Sequence, residues 1–283
     1  MKINEEQLRR LIRQQILKEM KESTEMIVPN LIIEGIYDPG ILKAVFMAGG
    51  PGSGKSYTAK EIFQGNSIEG ATNQAGTAMG LRIINSDPAF EMYLRKAGVD
   101  PGDLGSLPQE EFDALTIPAD SPRGRASKMK KVQQSATQIG RLGMIIDGTG
   151  DDLGKVTGKR QALVDLGYDT MMVFVNTSLE KALERNAKRE RVLPEALVEE
   201  IWTNVQGNLE GFKSLFGSNF VVIDNNQYGW DKTTEDAASV ARDFVNSPIQ
   251  NPIGQQWVRD AITAKGADPE DPIVKKRLNK LLG

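Results

Sequence analysis

Gly49-Gly50-Pro51-Gly52-Ser53-Gly54-Lys55-Ser56 is the stretch on which the reading of this 283-residue chain turns. It satisfies G-x-x-x-x-G-K-[ST] at every position. Glycines so spaced permit the tight turns that aim successive backbone N–H groups at phosphate oxygens. Lys55 is placed to reach the β- and γ-phosphates, and Ser56 to offer its hydroxyl to Mg²⁺. An apolar run, Lys43 to Ala48, precedes the loop, and a helical stretch, Tyr57 to Phe63, follows it. The order strand, loop, helix implies a nucleoside triphosphate site lined by Gly50, Pro51, Gly52, Ser53, Gly54, Lys55, Ser56 and Tyr57, with the helix N-terminus aimed at the same anion.

Outward from this loop, short apolar runs alternate with helical stretches. Leu42 to Ala48, Leu81 to Asn85, Gly143 to Asp147, Thr170 to Asn176 and Phe220 to Asp224 read as strands. Lys155 to Leu166, Ser127 to Leu142, Leu179 to Arg189 and Pro194 to Phe216 read as helices. Five β-branched, nearly continuous strands separated by helices predict an α/β sandwich around a parallel sheet covered on both faces. The pattern divides the chain into 1–40, 41–226 and 227–283. The first part carries an amphipathic helix over residues 4–22 and a connector ending in Asp38-Pro39-Gly40. The last carries helices near Thr234 to Val245 and Asn251 to Lys265, then a tail with basic Lys275, Lys276, Arg277 and Lys280. These terminal helices are candidates to contact another protein or a second subunit.

Residues 98–122 interrupt the alternation with four prolines and six acids but no base, and predict an inserted loop with a short helix at Gln109 to Leu115. The sign then inverts: Arg123, Arg125, Lys128, Lys130, Lys131 and Arg141 follow without an acid. Such a stretch beside the ligand crevice suits nucleic-acid phosphates, while Arg123 and Arg125 equally suit a diphosphate.

Composition narrows the chemistry. The chain has neither Cys nor His, which excludes thiolate and imidazole catalysis and leaves acid–base work to carboxylates, Lys and Tyr. With 35 basic and 38 acidic residues it is not a globally basic nucleic-acid coat. No apolar run is long enough to cross a membrane, and the first residues lack the apolar core of a signal peptide, so a soluble intracellular protein is expected.

In an open parallel sheet the ligand crevice lies beyond the carboxyl ends of the strands, which is where Asp87 and Asp147 fall. Asp87 is a candidate base or, before Pro88, a helix cap. Asp147 is a candidate holder of Mg²⁺ and the second candidate base. Arg185 and Arg189 are four apart and would share a helix face, either turned to solvent or closing over phosphates.

The ordered set G-G-P-G-S-G-K-S, I-N-S-D, I-I-D-G-T and R-N-A-K-R-E-R-V-L-P, spanning Ile41 to Asn226, resembles the P-loop kinases of the zeta-toxin and polynucleotide-kinase group. The resemblance implies strand order 2-3-1-4-5 and transfer of the ATP γ-phosphate to a hydroxyl. It implies Lys55 acting on the phosphates, Asp87 as the base, Arg185 and Arg189 as lid arginines, and Arg191 as a third candidate. Acceptors in the group include nucleic-acid 5′ ends, nucleotide sugars and, in tailed phages, 5-hydroxymethyluracil in DNA. The opening L-R-R-L-I-R-Q-Q-I-L resembles that of many large-phage proteins, which would place the protein in the host cytoplasm. The reading favours a nucleic-acid acceptor over a small metabolite, with a P-loop module that is not a kinase as a further alternative. One departure stands out: the group usually has Arg three residues after the basic Asp, where this chain has Phe90.

Overall fold

The computed structural model describes residues 38–63, 77, 79–189, 191–227, 229–264 and 268–283; the expected helix at 4–22 lies outside them. Five strands form one parallel sheet: β1 (Lys43–Ala48), β2 (Arg82–Ile84), β3 (Met144–Asp147), β4 (Asp169–Asn176) and β5 (Phe220–Asp224). The order is β2-β3-β1-β4-β5, as the resemblance implies. Val45 at the centre of β1 sits level with Ile145 on one side and Met171 on the other.

Strand residues alternate between two faces, and each face builds its own core. Ala44, Phe46, Met172 and Phe174 pack beneath α5 (Leu153–Asp165), α7 (Glu195–Gly207) and α8 (Leu209–Phe216). Val45, Met47, Val173 and Ile223 pack beneath α1 (Lys55–Phe63) and α9 (Lys232–Asn246). Both faces of β1 are buried, so its sequence reads as a continuous apolar run.

Several helices depart from the sequence reading for local reasons. The expected helix Pro194 to Phe216 is two, broken at Asn208, whose side chain donates to Gly150 O at 3.0 Å. α6 (Leu179–Ala187) stops two residues before Arg189, so Arg185 and Arg189 do not share one helix face. The basic stretch forms α4 (Pro122–Ile139), opened by Ser121, which accepts from Gly124 N. The tail, read only as basic, forms α11 (Pro272–Leu282), where Val274 and Leu281 join the first core together with Val258 and Ile262 of α10 (Pro252–Ala264).

The acidic insert is ordered. It comprises the end of the region after α2 (Asp87–Lys96), a 3₁₀ turn at Pro101–Ser106 and α3 (Gln109–Thr116). Leu104 meets Phe90, Leu94 and Ala126 in a small separate core, against which Phe112 and Leu193 pack. The insert therefore stands beside the carboxyl end of β2. Among the described residues no helix is long and apolar enough to cross a membrane.

Candidate active site

Because all five strands are parallel, the segments that follow them gather at one end of the sheet. The glycine-rich loop follows β1. Gly52 and Gly54 have φ of +77° and +86°, and a Cβ on Gly52 would lie 2.2 Å from Ala182 O. Only glycine fits there. Ser53 O accepts from Asn225 Nδ2 at 2.7 Å and Thr177 Oγ1 at 3.2 Å, while Thr177 O accepts from Trp202 Nε1 at 2.7 Å. The loop is thus held from behind by residues after β4 and β5 and by α7. No motif marks Thr177, Trp202 or Asn225 in the sequence.

Lys55 Nζ donates to Gly49 O at 2.5 Å and Gly50 O at 3.2 Å. Burial pulls this ammonium below its ordinary pKa, against the opposing pull of Asp147 and Asp87. Ser53 Oγ and Arg185 Nη1 are buried without a hydrogen-bond partner among the described residues. Buried donors of this kind cost free energy unless something accepts from them.

A cavity of about 580 Å³ joins these parts. Gly50, Pro51, Gly52, Gly54, Lys55, Ser56 and Tyr57 line it with Asp87, Asp147, Arg123, Arg185, Arg189 and Arg191. Phe90, Leu104, Phe112, Leu193, Leu197 and Ile201 supply an apolar wall. Five cations against two carboxylates make the lining strongly positive. A polyanion is the complement of such a surface.

Asp87 opens α2, but its side chain does not cap the helix. Its carboxylate accepts from Arg123 Nη1 at 3.3 Å and forms an ion pair with Arg191, whose Nη2 lies 2.8 Å from Oδ2. Burial pushes the carboxyl up; Arg191, Arg123, Arg189 and Lys55 outweigh it and hold the group below its usual value. Both Arg123 and Arg191 also lie over the Phe90 ring, 5.2 and 5.5 Å from its centre. Two guanidiniums thus reach Asp87, one from α4 and one from the turn after α6, and both rest on Phe90.

Asp147 ends β3. Its Oδ2 accepts from Asn85 Nδ2 at 3.0 Å, and its main-chain oxygen accepts from Lys130 Nζ at 2.5 Å. Burial pushes the Asp147 carboxyl up, partly opposed by Lys55. Ser56 and Asp147 offer hard oxygen donors to the same cavity, a set that suits Mg²⁺ shared with phosphate oxygens and water.

The basic run on α4 divides. Arg123 and Lys130 turn inward to Asp87 and Asp147, whereas Arg125 is exposed over the Tyr93 ring, 6.0 Å from its centre, and is not part of the cavity wall. Arg189 does reach the cavity despite lying beyond the helix end. Arg191, the third candidate in the sequence, is the arginine most deeply buried here and the one closest to Asp87.

The profile of the AAA domain family matches residues 45–211, more than half of the chain, and the chain belongs to that family. No curated protein matches it. Among solved structures, it is similar to one from the PezAT chromosomal toxin–antitoxin system of Streptococcus pneumoniae, at 14% identity and TM-score 0.43, covering 72% of this chain and 85% of that one. A chain of the Pnkp1/Rnl/Hen1 RNA repair complex is 20% identical at TM-score 0.41, covering 61% of this chain and 46% of that one. Shikimate kinase from Acinetobacter baumannii is 14% identical at TM-score 0.35, covering 73% and 94%.

Proposed function

We propose that this protein is an ATP-dependent phosphotransferase that moves the γ-phosphoryl group to a hydroxyl of a small acceptor. One observation carries the reading: the glycine-rich loop, Asp87 and four arginines line a single cavity together with an apolar wall that includes Leu104 and Phe112 of the insert. Triphosphate and acceptor would meet there within reach of one carboxylate.

The loop N–H groups and Lys55 would hold the β- and γ-phosphates. Ser56 and Asp147 would hold Mg²⁺, which when bound neutralises charge on the phosphate oxygens. The acceptor oxygen attacks the γ-phosphorus, the bond to the β–γ bridging oxygen breaks, and ADP departs with that oxygen. The acceptor proton passes to Asp87. Its lowered pKa keeps it ionised at neutral pH, and a weak base suffices because a loose transition state releases the proton late. Arg185 and Arg189 would neutralise the equatorial oxygens.

A small acceptor is favoured over a nucleic acid for two reasons. The insert contributes Leu104 and Phe112 to the cavity wall, which narrows the room for a bulky acceptor. The basic run that suggested a phosphate track spends Arg123 and Lys130 on internal partners. The test is incubation with γ-labelled ATP and Mg²⁺ against nucleotide sugars, nucleosides, other small alcohols, 5′-OH oligonucleotides and hydroxymethyluracil DNA. Label in a small alcohol is expected. Label confined to the nucleic acids overturns the small-acceptor reading, and label in water alone as inorganic phosphate overturns the kinase reading.

A further inference from the structure

Asn186 lies near the end of α6 and is 2% exposed, an unusual place for an amide. Its side chain meets both backbone groups of one residue: Nδ2 donates to Leu193 O at 2.8 Å, and Leu193 N donates to Oδ1 at 3.2 Å. This two-point clasp closes the turn that carries Arg189 and Arg191. It also accounts for the helix ending at Ala187, since the chain must fold back for Leu193 to meet residue 186.

Leu193 is held from a second side. Its side chain packs on the small core of Phe90, Leu94, Leu104 and Ala126. Gly105 of the insert approaches so closely that a Cβ there would stand 3.1 Å from Leu193 C and 3.2 Å from Val192 O. At the far end of the turn, Arg191 is 6% exposed and bound to Asp87, with Glu91 Oε1 3.7 Å from its Nε. Asn186, Leu193 and Arg191 thus each find their partners within the protein itself.

We infer that Asn186 is a positioning residue: by clasping Leu193 it holds Arg189 and Arg191 at the cavity in the free protein, so these arginines are preorganised and do not swing in on nucleotide binding. The inference rests on the phosphotransferase reading only for its kinetic consequence. Preorganised donors act on the transition state without reorganising, so loss of the clasp falls on kcat and not on binding of ATP.

Two measurements test this. The first needs no activity: hydrogen exchange of the Leu193 amide in the full chain, with and without Mg²⁺ and a non-hydrolysable ATP analogue. Protection in the free protein, changing less than about threefold on adding nucleotide, is expected. Unprotected exchange in the free protein that becomes slow with nucleotide overturns the inference, whatever the reaction proves to be. The second compares Asn186→Ala with Asn186→Asp, which keeps an acceptor for Leu193 N–H but sets a carboxylate oxygen against Leu193 O in place of the donor. Asn186→Ala should exchange Leu193 at least tenfold faster and lower kcat at least tenfold, with the KM for ATP within threefold. Asn186→Asp, which cannot donate to Leu193 O, should also speed Leu193 exchange and lower kcat, with the KM for ATP again within threefold. If Asn186→Ala does not fold, Asn186→Asp carries the kinetic test alone. A variant that loses thermal stability but keeps kcat and Leu193 protection shows a purely structural amide and overturns the inference. If the unaltered protein phosphorylates nothing, the kinase reading fails while the exchange result still decides the clasp.

Discussion

Two ion-pair sites stand at opposite ends of the same sheet and differ in completeness. At the amino end, Lys43 Nζ donates to Asp169 Oδ2 at 2.8 Å, Ser247 Oγ at 3.1 Å and Pro248 O at 3.2 Å. Asp169 also accepts from the backbone N–H groups of Gln250 and Asn251, each at 2.9 Å. All three ammonium protons and both carboxylate oxygens are used. At the carboxyl end, two carboxylates face five cations, and Arg185 Nη1 and Ser53 Oγ have no partner among the described residues. The saturated pair needs nothing further and fastens residues 247–251 to β1 and β4. The unsaturated cluster carries an excess of positive charge, the complement of an anion.

That contrast can be broken at either end. Asp169→Ala leaves Lys43 as a buried charge without its counter-ion, so we expect a loss of about 3–5 kcal/mol in unfolding free energy with kcat unchanged. Denaturant melts alongside steady-state rates check this, and a fall in kcat at matched folding would mean that the amino end is not merely structural. Lys55→Ala should do the opposite: thermal stability is kept, while phosphoryl transfer falls about a hundred- to a thousandfold. Near-normal transfer in that variant would remove the P-loop from the mechanism.

Asp87→Asn keeps the shape of the side chain and loses the ability to take a proton. It should still bind ATP and lose about a hundredfold in acceptor phosphorylation at saturating ATP. Equal rates would transfer the role of base to Asp147. The smallest expected effect sharpens the electrostatics. Arg191→Ala removes the strongest of the cations that hold Asp87 low, so the acidic limb of the kcat/KM profile should move upward in pH. The same pairing has a stability counterpart: with its folded pKa depressed, Asp87 contributes stability at pH above its ordinary value of 3.8, and this is lost as pH falls through the folded value. Acid melts of Arg191→Ala should show a smaller loss, since Arg123, Arg189 and Lys55 still act on Asp87.

The comparison also shows which parts of the site were legible in sequence. Lys55 and Ser56 declare themselves because a phosphate loop is made from eight consecutive residues whose backbone turns need glycine. Asp87 and Asp147 were placed by the rule that ligands sit beyond the carboxyl ends of parallel strands. Helical spacing pairs Arg185 with Arg189, yet the helix ends between them, and Arg189 reaches the cavity from a turn. Adjacency in sequence pairs Arg125 with Arg123, but positions two apart on α4 point different ways, and only Arg123 meets Asp87. Asn186 stands inside the R-N-A-K-R-E-R-V-L-P stretch, yet its clasp on Leu193 appears only in the fold, and Thr177, Trp202 and Asn225 carry no motif of their own because each acts by bonding a backbone group distant in sequence.

The sequence by itself determined the alternation of strand and helix, the phosphate loop and the absence of imidazole and thiol chemistry. These follow from residue type and short-range periodicity, which are local properties of the chain. Only the folded chain brings Arg191 and Asp87, 104 positions apart, into an ion pair, sets two guanidiniums over Phe90 and puts Leu104 and Phe112 of the insert in the cavity wall. Lys43 and Asp169 depend in the same way on the parallel register of β1 and β4. A charge in sequence has no partner until folding brings one within a few ångströms, and burial then determines how strongly the two are bound.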